Sequence, residues 1–288
     1  MALGQGSGRL QLAEAMTTAG APLVARVLVN RLWRQLFDRG IARSVDNLGA
    51  LGDPPTHPEL LDWLAADFLR SGWSMKRALR LLTTSRAYRQ DSARRADGDA
   101  ADPANLLLHR QNVQRLDAES VRDALLAASG RLDPTPFGPP VELAGETIIR
   151  ARGRPERTGP LDGEGRRSIY LAVRRNFLPA MLLAFDLPTP FATVGARNVS
   201  NVPAQALTLA NDPFVHQQCA RWANALLEGD PGAGIDGRIA QAFLRAFARP
   251  PAPDEAALCR SFLAAGGPTA WPDLLHGLVL ATEFLYLR

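Results

Sequence analysis

Thr56–Ser74, THPELLDWLAADFLRSGWS, reads as an amphipathic helix carrying its own start and stop signals. Leu60, Leu61, Leu64, Phe68 and Leu69 recur at helical spacing and make one apolar stripe. Pro58 suits only the first turn, where its missing amide hydrogen has no intrahelical acceptor to lose. Thr56 and Glu59 stand in the Ser/Thr-x-x-Glu relation of a capping box, and Gly72 is placed as the terminator. Ser74 then caps a second helix whose Leu79, Leu82 and Tyr88 lie on its inner side, so the stretch predicts a helical hairpin.

Working outward, Leu23–Phe37 predicts a helix with Val24, Val27, Leu28, Leu32 and Phe37 inward, stopped by Gly40. Residues 41–55 read as a loop, and Ser92–Pro103, almost without large apolar groups, as a solvated connection. Asp117 and Glu119 open another helix with Leu116, Val121, Leu125 and Ala128 inward, closed by Gly130. Glycine, proline and charge dominate 133–165, a long excursion. Arg166–Arg175 alternates Ile169, Leu171 and Val173 with Ser168, Tyr170 and Ala172, the pattern of a strand. Helices follow at Pro179–Phe185, after Asn201 as cap with Pro203 in the first turn, at Phe214–Leu227, and near Ile235, Asp254 and Trp271. The fold class expected is mainly α, a multi-helix orthogonal bundle with long irregular loops and at most a small β element near 166–175. It is read as one domain over 1–288, with an N-terminal helical half (1–132), a flexible excursion (133–165) and a C-terminal helical half (166–288).

Composition agrees, since 46% hydrophobic residues fill a sizeable core and 22% charged residues cover it. The net charge of +4 argues against a nucleic-acid binder, and no segment is apolar for long enough to span a bilayer. Cys219 and Cys259 make neither a disulfide framework nor a haem-attachment motif, so no cofactor is expected.

The segments ARVLVNRLWRQLFDRGIARSVDNLG, PTHPELLDWLAADFLRSGWSMKRALRLL, SRAYRQDS, RLDAESVRDALLAASGRL, RRSIYLAVRR, FDLPTP, RNVSNVPAQALTLANDPFV and TEFLYLR, in this order, resemble the planctomycete-cytochrome-associated domain of unknown function family 1553. The resemblance covers nearly the whole chain. It implies an accessory domain of an exported multidomain system in the periplasm or cell envelope, with a link to polysaccharide breakdown or electron transfer. The expected partners are other domains or proteins of that system, and a glycan. Three positions depart from the family pattern: Leu79 stands where histidine is common, Asp38 where glycine is usual, and SNVPAQ replaces a run richer in threonine.

Candidate chemistry is sparse. A neutral imidazole at His57 suits general-base or metal-ligand work, but no cluster with ligand spacing surrounds it, so no metal site is read and packing is favoured. His216 and Cys219, three apart on one helix, make half a site at best, and His109 and His276 have no partner that spacing identifies. Asp186 with Asp62 or Glu142 would form a glycosidase-like pair only at a separation that sequence leaves open. Arg31, Arg174, Arg175, Arg197 and Asn198 are the anion- or ligand-binding candidates, because rigid guanidinium forks suit carboxylate, sulfate or phosphate. The reading preferred pairs these arginines with Asp117, Glu119, Asp123 or Asp186 as ties between loops and core. A hydrolase acting on carbohydrate or sulfated glycan, with His57, Asp186, Arg174 and Arg197 in one pocket, is the alternative, and a polyanion-binding module the third.

Overall fold

In the computed structural model, which describes residues 6–143, 159–229 and 232–287, the periodic stretches are helices, thirteen among the described residues. The mainly-α expectation holds. The chain divides into two compact units, Met1–Gln114 with Val194–Ala196, and Arg115–Thr193 with Arg197–Leu287.

In the first unit α1 (Arg9–Thr17) leads into α2 (Ala21–Phe37), which packs on α3 (Pro58–Arg70) and α4 (Met75–Thr83). The inner face of α2 is the four-residue row Ala25, Val29, Trp33 and Phe37. The Val24, Val27, Leu28 and Leu32 row expected there is only half-buried beside it. Trp33 stacks on Phe37 with ring centroids 4.1 Å apart, and Tyr88 meets Phe37 edge-on at 5.8 Å. From α3, Leu61, Leu64, Ala65 and Phe68 complete this core, and Leu82 is buried from α4 whereas Leu79 is exposed.

Two polar devices shape the loop after α2. The helix ends at Asp38, whose backbone is left-handed at φ 69°, so Gly40 is not the terminator. Gly40 is instead needed for close approach, since a Cβ there would stand 2.4 Å from the Ala42 carbonyl and 2.8 Å from the Asn30 amide. Asn30 is fully buried on α2, where its Nδ2 donates to Ala42 O at 2.8 Å and its Oδ1 accepts from Ala42 N at 2.9 Å. The last carbonyls of α2 are met from downstream: Leu36 O accepts from the Gln111 and Gln114 amides at 3.2 and 3.0 Å, and Phe37 O from Asn112 at 2.8 Å.

The capping box at Thr56 and Glu59 does not form. The helix starts at Pro58, His57 precedes it, and no side chain caps it. Thr56 is therefore one residue too far out to reach the third amide, and it ties the loop instead. Its amide donates to Ile41 O at 2.8 Å, and its hydroxyl lies 3.3 Å from that carbonyl and 2.9 Å from His57 Nδ1. Glu59 keeps only the favourable place of an acid in the first turn. Ser74 does cap α4, through the Arg77 amide at 3.3 Å. The connection at 92–103 contains a short helix, α5 (Ala96–Ala101), followed by Asp102, whose carboxylate accepts the Leu106 and Leu107 amides at 2.9 and 2.7 Å.

The second unit gathers α6 (Ala118–Ala128), α7 (Ala180–Ala184), α8 (Pro203–Asn211), α9 (Pro213–Gly229), α10 (Ile235–Phe247), α11 (Pro253–Gly266), α12 (Trp271–Leu280) and α13 (Thr282–Leu285) around a core that includes Val121, Leu125, Val215, Trp222, Leu275 and Val279. The two-residue strands β1 (Gln114–Arg115) and β2 (Tyr286–Leu287) form the only sheet among the described residues. Asp117 caps α6 by accepting the Ser120 amide at 2.9 Å. Asn201 does not cap α8. Val202 directly precedes that helix, and its amide meets Gln205 Oε1 at 3.5 Å, so the reaching-back side chain of the motif serves the helix end.

Arg166–Arg175 is not a strand. Ser168–Tyr170 makes a single 3-10 turn, and the β character is limited to isolated bridges Asp133 to Arg166 and Val141 to Leu171. Side chains of α6 take the groups a ladder would use: Arg122 donates to Arg166 O at 2.9 Å, and the Ser168 amide donates to Asp123 at 2.8 Å. Ile169, 74% exposed, faces outward with Val173. Of the excursion at 133–165, residues 144–158 lie outside the described residues. Its described ends are tied by Asp133 N to Gly165 O at 2.8 Å and Val141 N to Tyr170 O at 2.9 Å.

Asn30→Ala would leave the buried amide and carbonyl of Ala42 without partners, so a loss of about 2–3 kcal/mol in urea unfolding is expected, against at most about 1 kcal/mol for Thr56→Ala.

Candidate functional site

The polar clusters of the second unit are built around arginines. Arg122, on the inner face of α6, is 2% exposed and cannot be held there without acceptors. Its Nη1 donates to Arg166 O at 2.9 Å and to Ser168 Oγ at 3.0 Å, and its Nη2 to Asp162 O at 2.8 Å. Burial pushes its pKa down to about 10 against the opposing pull of Asp123 and Asp162. The carboxylates are engaged in turn. Asp123 accepts from Ser168 N and Oγ at 2.8 and 2.7 Å, and buried Asp162 accepts from Arg131 Nε at 2.8 Å. Gly163 is part of this fit, because its φ of 54° and a Cβ 2.8 Å from Arg122 Nη2 would both resist a side chain.

A second cluster joins FDLPTP to RNVSNVPAQ. Asp186 follows α7 in a left-handed conformation at φ 64°. Its carboxylate accepts from Ser200 N at 2.8 Å, Ser200 Oγ at 2.9 Å and Arg115 Nη2 at 2.6 Å. Buried Gln205 donates to Ser200 O and Oγ at 3.2 and 3.1 Å. The Arg115 side chain is 3% exposed, and its guanidinium lies 5.4 Å from the Phe185 ring centroid. Burial pushes the Asp186 carboxyl up, but the Ser200 donors and the Arg115 charge outweigh it and leave the group below the ordinary aspartate value.

Several other arginines also have internal partners. Arg197 forks onto both oxygens of Glu119 at 2.5 and 2.8 Å, Arg174 pairs with Glu142, and Arg167 stands 3.8 Å from Asp123. In the closing segment TEFLYLR, Glu283 shares Arg249 with Glu255, each bonded at 2.7 Å. The Arg249 bond and the Ala252 amide pull the Glu255 pKa down to about 2. Arg31, Arg175, Asn198 and Asn201 are exposed.

Of the four residues expected in one hydrolase pocket, Asp186, Arg174 and Arg197 are each bonded to a partner within the second unit. His57 belongs to the first unit, half-buried beside a cavity of about 30 Å³ lined by Trp33, Phe37, Asn105 and Asn112. That space holds a water, not a sugar. Asp62, on α3, pairs with Arg26 at 2.5 Å, whereas Asp186 and Glu142 are each bound to an arginine of the second unit. Among the described residues no three or more His, Cys, Asp and Glu side chains gather as a metal cluster. Cys219 and Cys259 are buried free thiols, and burial pushes Cys219 up to about 12. Sequence reasoning did not single out the cavity neighbours Asn105 and Asn112, the buried Arg122 and Arg115, or an open depression of about 300 Å³ lined by Arg131, Arg221, Asn224 and Glu228. The sequence reading named Asp186 as an arginine partner but not Arg115 or Ser200 as the groups that meet it.

Helices packed on helices, with arginines and acids tying the connections to the core, define a mainly-α protein. The chain belongs to the family described as PSD1, protein of unknown function (DUF1553), whose model matches residues 8–263. Neither the curated proteins nor the solved structures contain a match to it.

Asp186→Asn leaves the Arg115 charge buried without its counter-ion, and a loss on the order of 3 kcal/mol is expected at neutral pH. Because the folded carboxyl is depressed, its stabilisation is complete above the ordinary aspartate range and is lost as pH falls through the lowered folded value. The stability gap between wild type and Asp186→Asn, measured by urea unfolding from pH 7 downward, is expected to narrow in acid.

Proposed function

We propose that this chain is an accessory and interaction domain of a larger extracytoplasmic system. The observation that carries the reading is a pairing of two features in the second unit. Its buried arginines are paired with acids and carbonyls of the same unit, and the connections they hold present apolar side chains to solvent: Phe137, Ile169, Val173, Phe191 and Val199 are all exposed. Pinned loops with outward apolar groups suit docking against other domains or proteins of the same system. The envelope or periplasmic setting, and a link to polysaccharide breakdown or electron transfer, rest on the motif resemblance. The reading includes no haem held by this chain, and nucleic acid is not among its partners.

A glycan remains a partner in this reading, with the depression at Arg131, Arg221 and Asn224 as its contact, since guanidinium and amide groups suit hydroxyl and sulfate oxygens. Hydrolysis is not favoured, because Asp186 and Arg197 are occupied by Arg115 and Glu119. Incubation of the purified chain with neutral and sulfated polysaccharides is expected to release no reducing ends above the blank. Release that disappears in folded Asp186→Asn or His57→Ala protein would replace this proposal with the hydrolase.

A further inference from the structure

His216, near the start of α9, and His276, on α12, come together at the C-terminal end of α8 with ring centroids 4.5 Å apart and planes tilted by 59°. His216 Nε2 lies 3.0 Å from Ala210 O, and His276 Nε2 lies 2.9 Å from Leu209 O. A carbonyl oxygen only accepts, so each Nε2 carries the proton. In the neutral rings the lone pairs therefore sit on the two Nδ1 atoms, neither of which makes a hydrogen bond among the described residues. An imidazole whose second nitrogen donates to a backbone carbonyl has its tautomer and orientation set as metal-bound histidines do.

We propose that His216 and His276 form a two-histidine site for a divalent late-transition-metal cation, bound through both Nδ1 atoms with water completing the coordination. The spacing is short enough for two ligands on one ion. Metal–nitrogen bonds of about 2.0–2.1 Å put each ring centroid roughly 3.2 Å from the ion, so two imidazoles at a right angle have centroids about 4.5 Å apart, against about 5.2 Å in a tetrahedron. The observed 4.5 Å brings both rings within reach of one ion, and among divalent ions imidazole nitrogen holds Cu²⁺ most tightly. His216 is exposed and His276 half-buried, so the pair is open to an ion from solution. Cys219 is not a third ligand, because it is buried in the core with its thiol held protonated.

Calorimetric titration of the full chain with Cu²⁺ alone, and separately with Ni²⁺ and Zn²⁺, tests the site. One equivalent of Cu²⁺ is expected to bind, more tightly than Ni²⁺ or Zn²⁺. The affinity is expected to fall on acidification, because a proton and the ion compete for the same nitrogen. His216→Ala and His276→Gln, the latter keeping a donor for Leu209 O, should each weaken Cu²⁺ binding at least tenfold with unchanged circular dichroism, whereas His57→Ala and His109→Ala should leave it intact. Copper spectra showing two imidazole nitrogens would support the site. Absence of stoichiometric uptake, or retention of full affinity by either His216→Ala or His276→Gln, would overturn it.

Discussion

A guanidinium taken out of water must find acceptors for its donors, and in the second unit that requirement sets where the connections run. Arg122 has almost no exposure, so the Arg166 and Asp162 carbonyls and the Ser168 hydroxyl must come to it. The chain between α6 and α7 is accordingly shaped by side chains of a helix, not by pairing with another strand. Asp123 and Asp162 keep the charge balanced, and the glycine at 163 lets the backbone approach the guanidinium closely.

The first unit solves the same problem with a neutral amide. Asn30 returns both hydrogen bonds of the Ala42 peptide and so folds the loop after α2 back over that helix. Gly40 clears the space for it, and Asp38 adopts the left-handed turn that ends the helix. A side chain at that φ carries some strain, which the carbonyl contacts from Gln111, Asn112 and Gln114 help to offset.

These joints bear directly on function. A carboxylate already engaged by a serine and a buried arginine, as Asp186 is, has most of its acceptor capacity taken up inside the protein. The same joints hold loops that leave Ile169 and Phe191 in water. Chemistry is then to be sought where polar atoms remain accessible, at the arginine-lined depression and at the paired imidazoles of α9 and α12.

The helices were legible in the local sequence, because the period of apolar residues and the flanking proline, glycine, serine and aspartate signals act within a few residues of one another. Ser74, Asp117, Pro203 and the break at Asp212 needed no tertiary knowledge. The sequence also marked the arginine–acid pairing as the preferred use of its polar motifs, and Arg197 with Glu119 is such a pair. Which partner each group took was set by packing between distant parts of the chain. Thr56 left its cap for Ile41, Arg166–Arg175 gave up strand pairing to Arg122 and Asp123, and His276 met a histidine on another helix. Those outcomes depend on contacts between residues far apart in the chain, where the burial of one group sets the hydrogen bonds of another and local spacing carries no record of it.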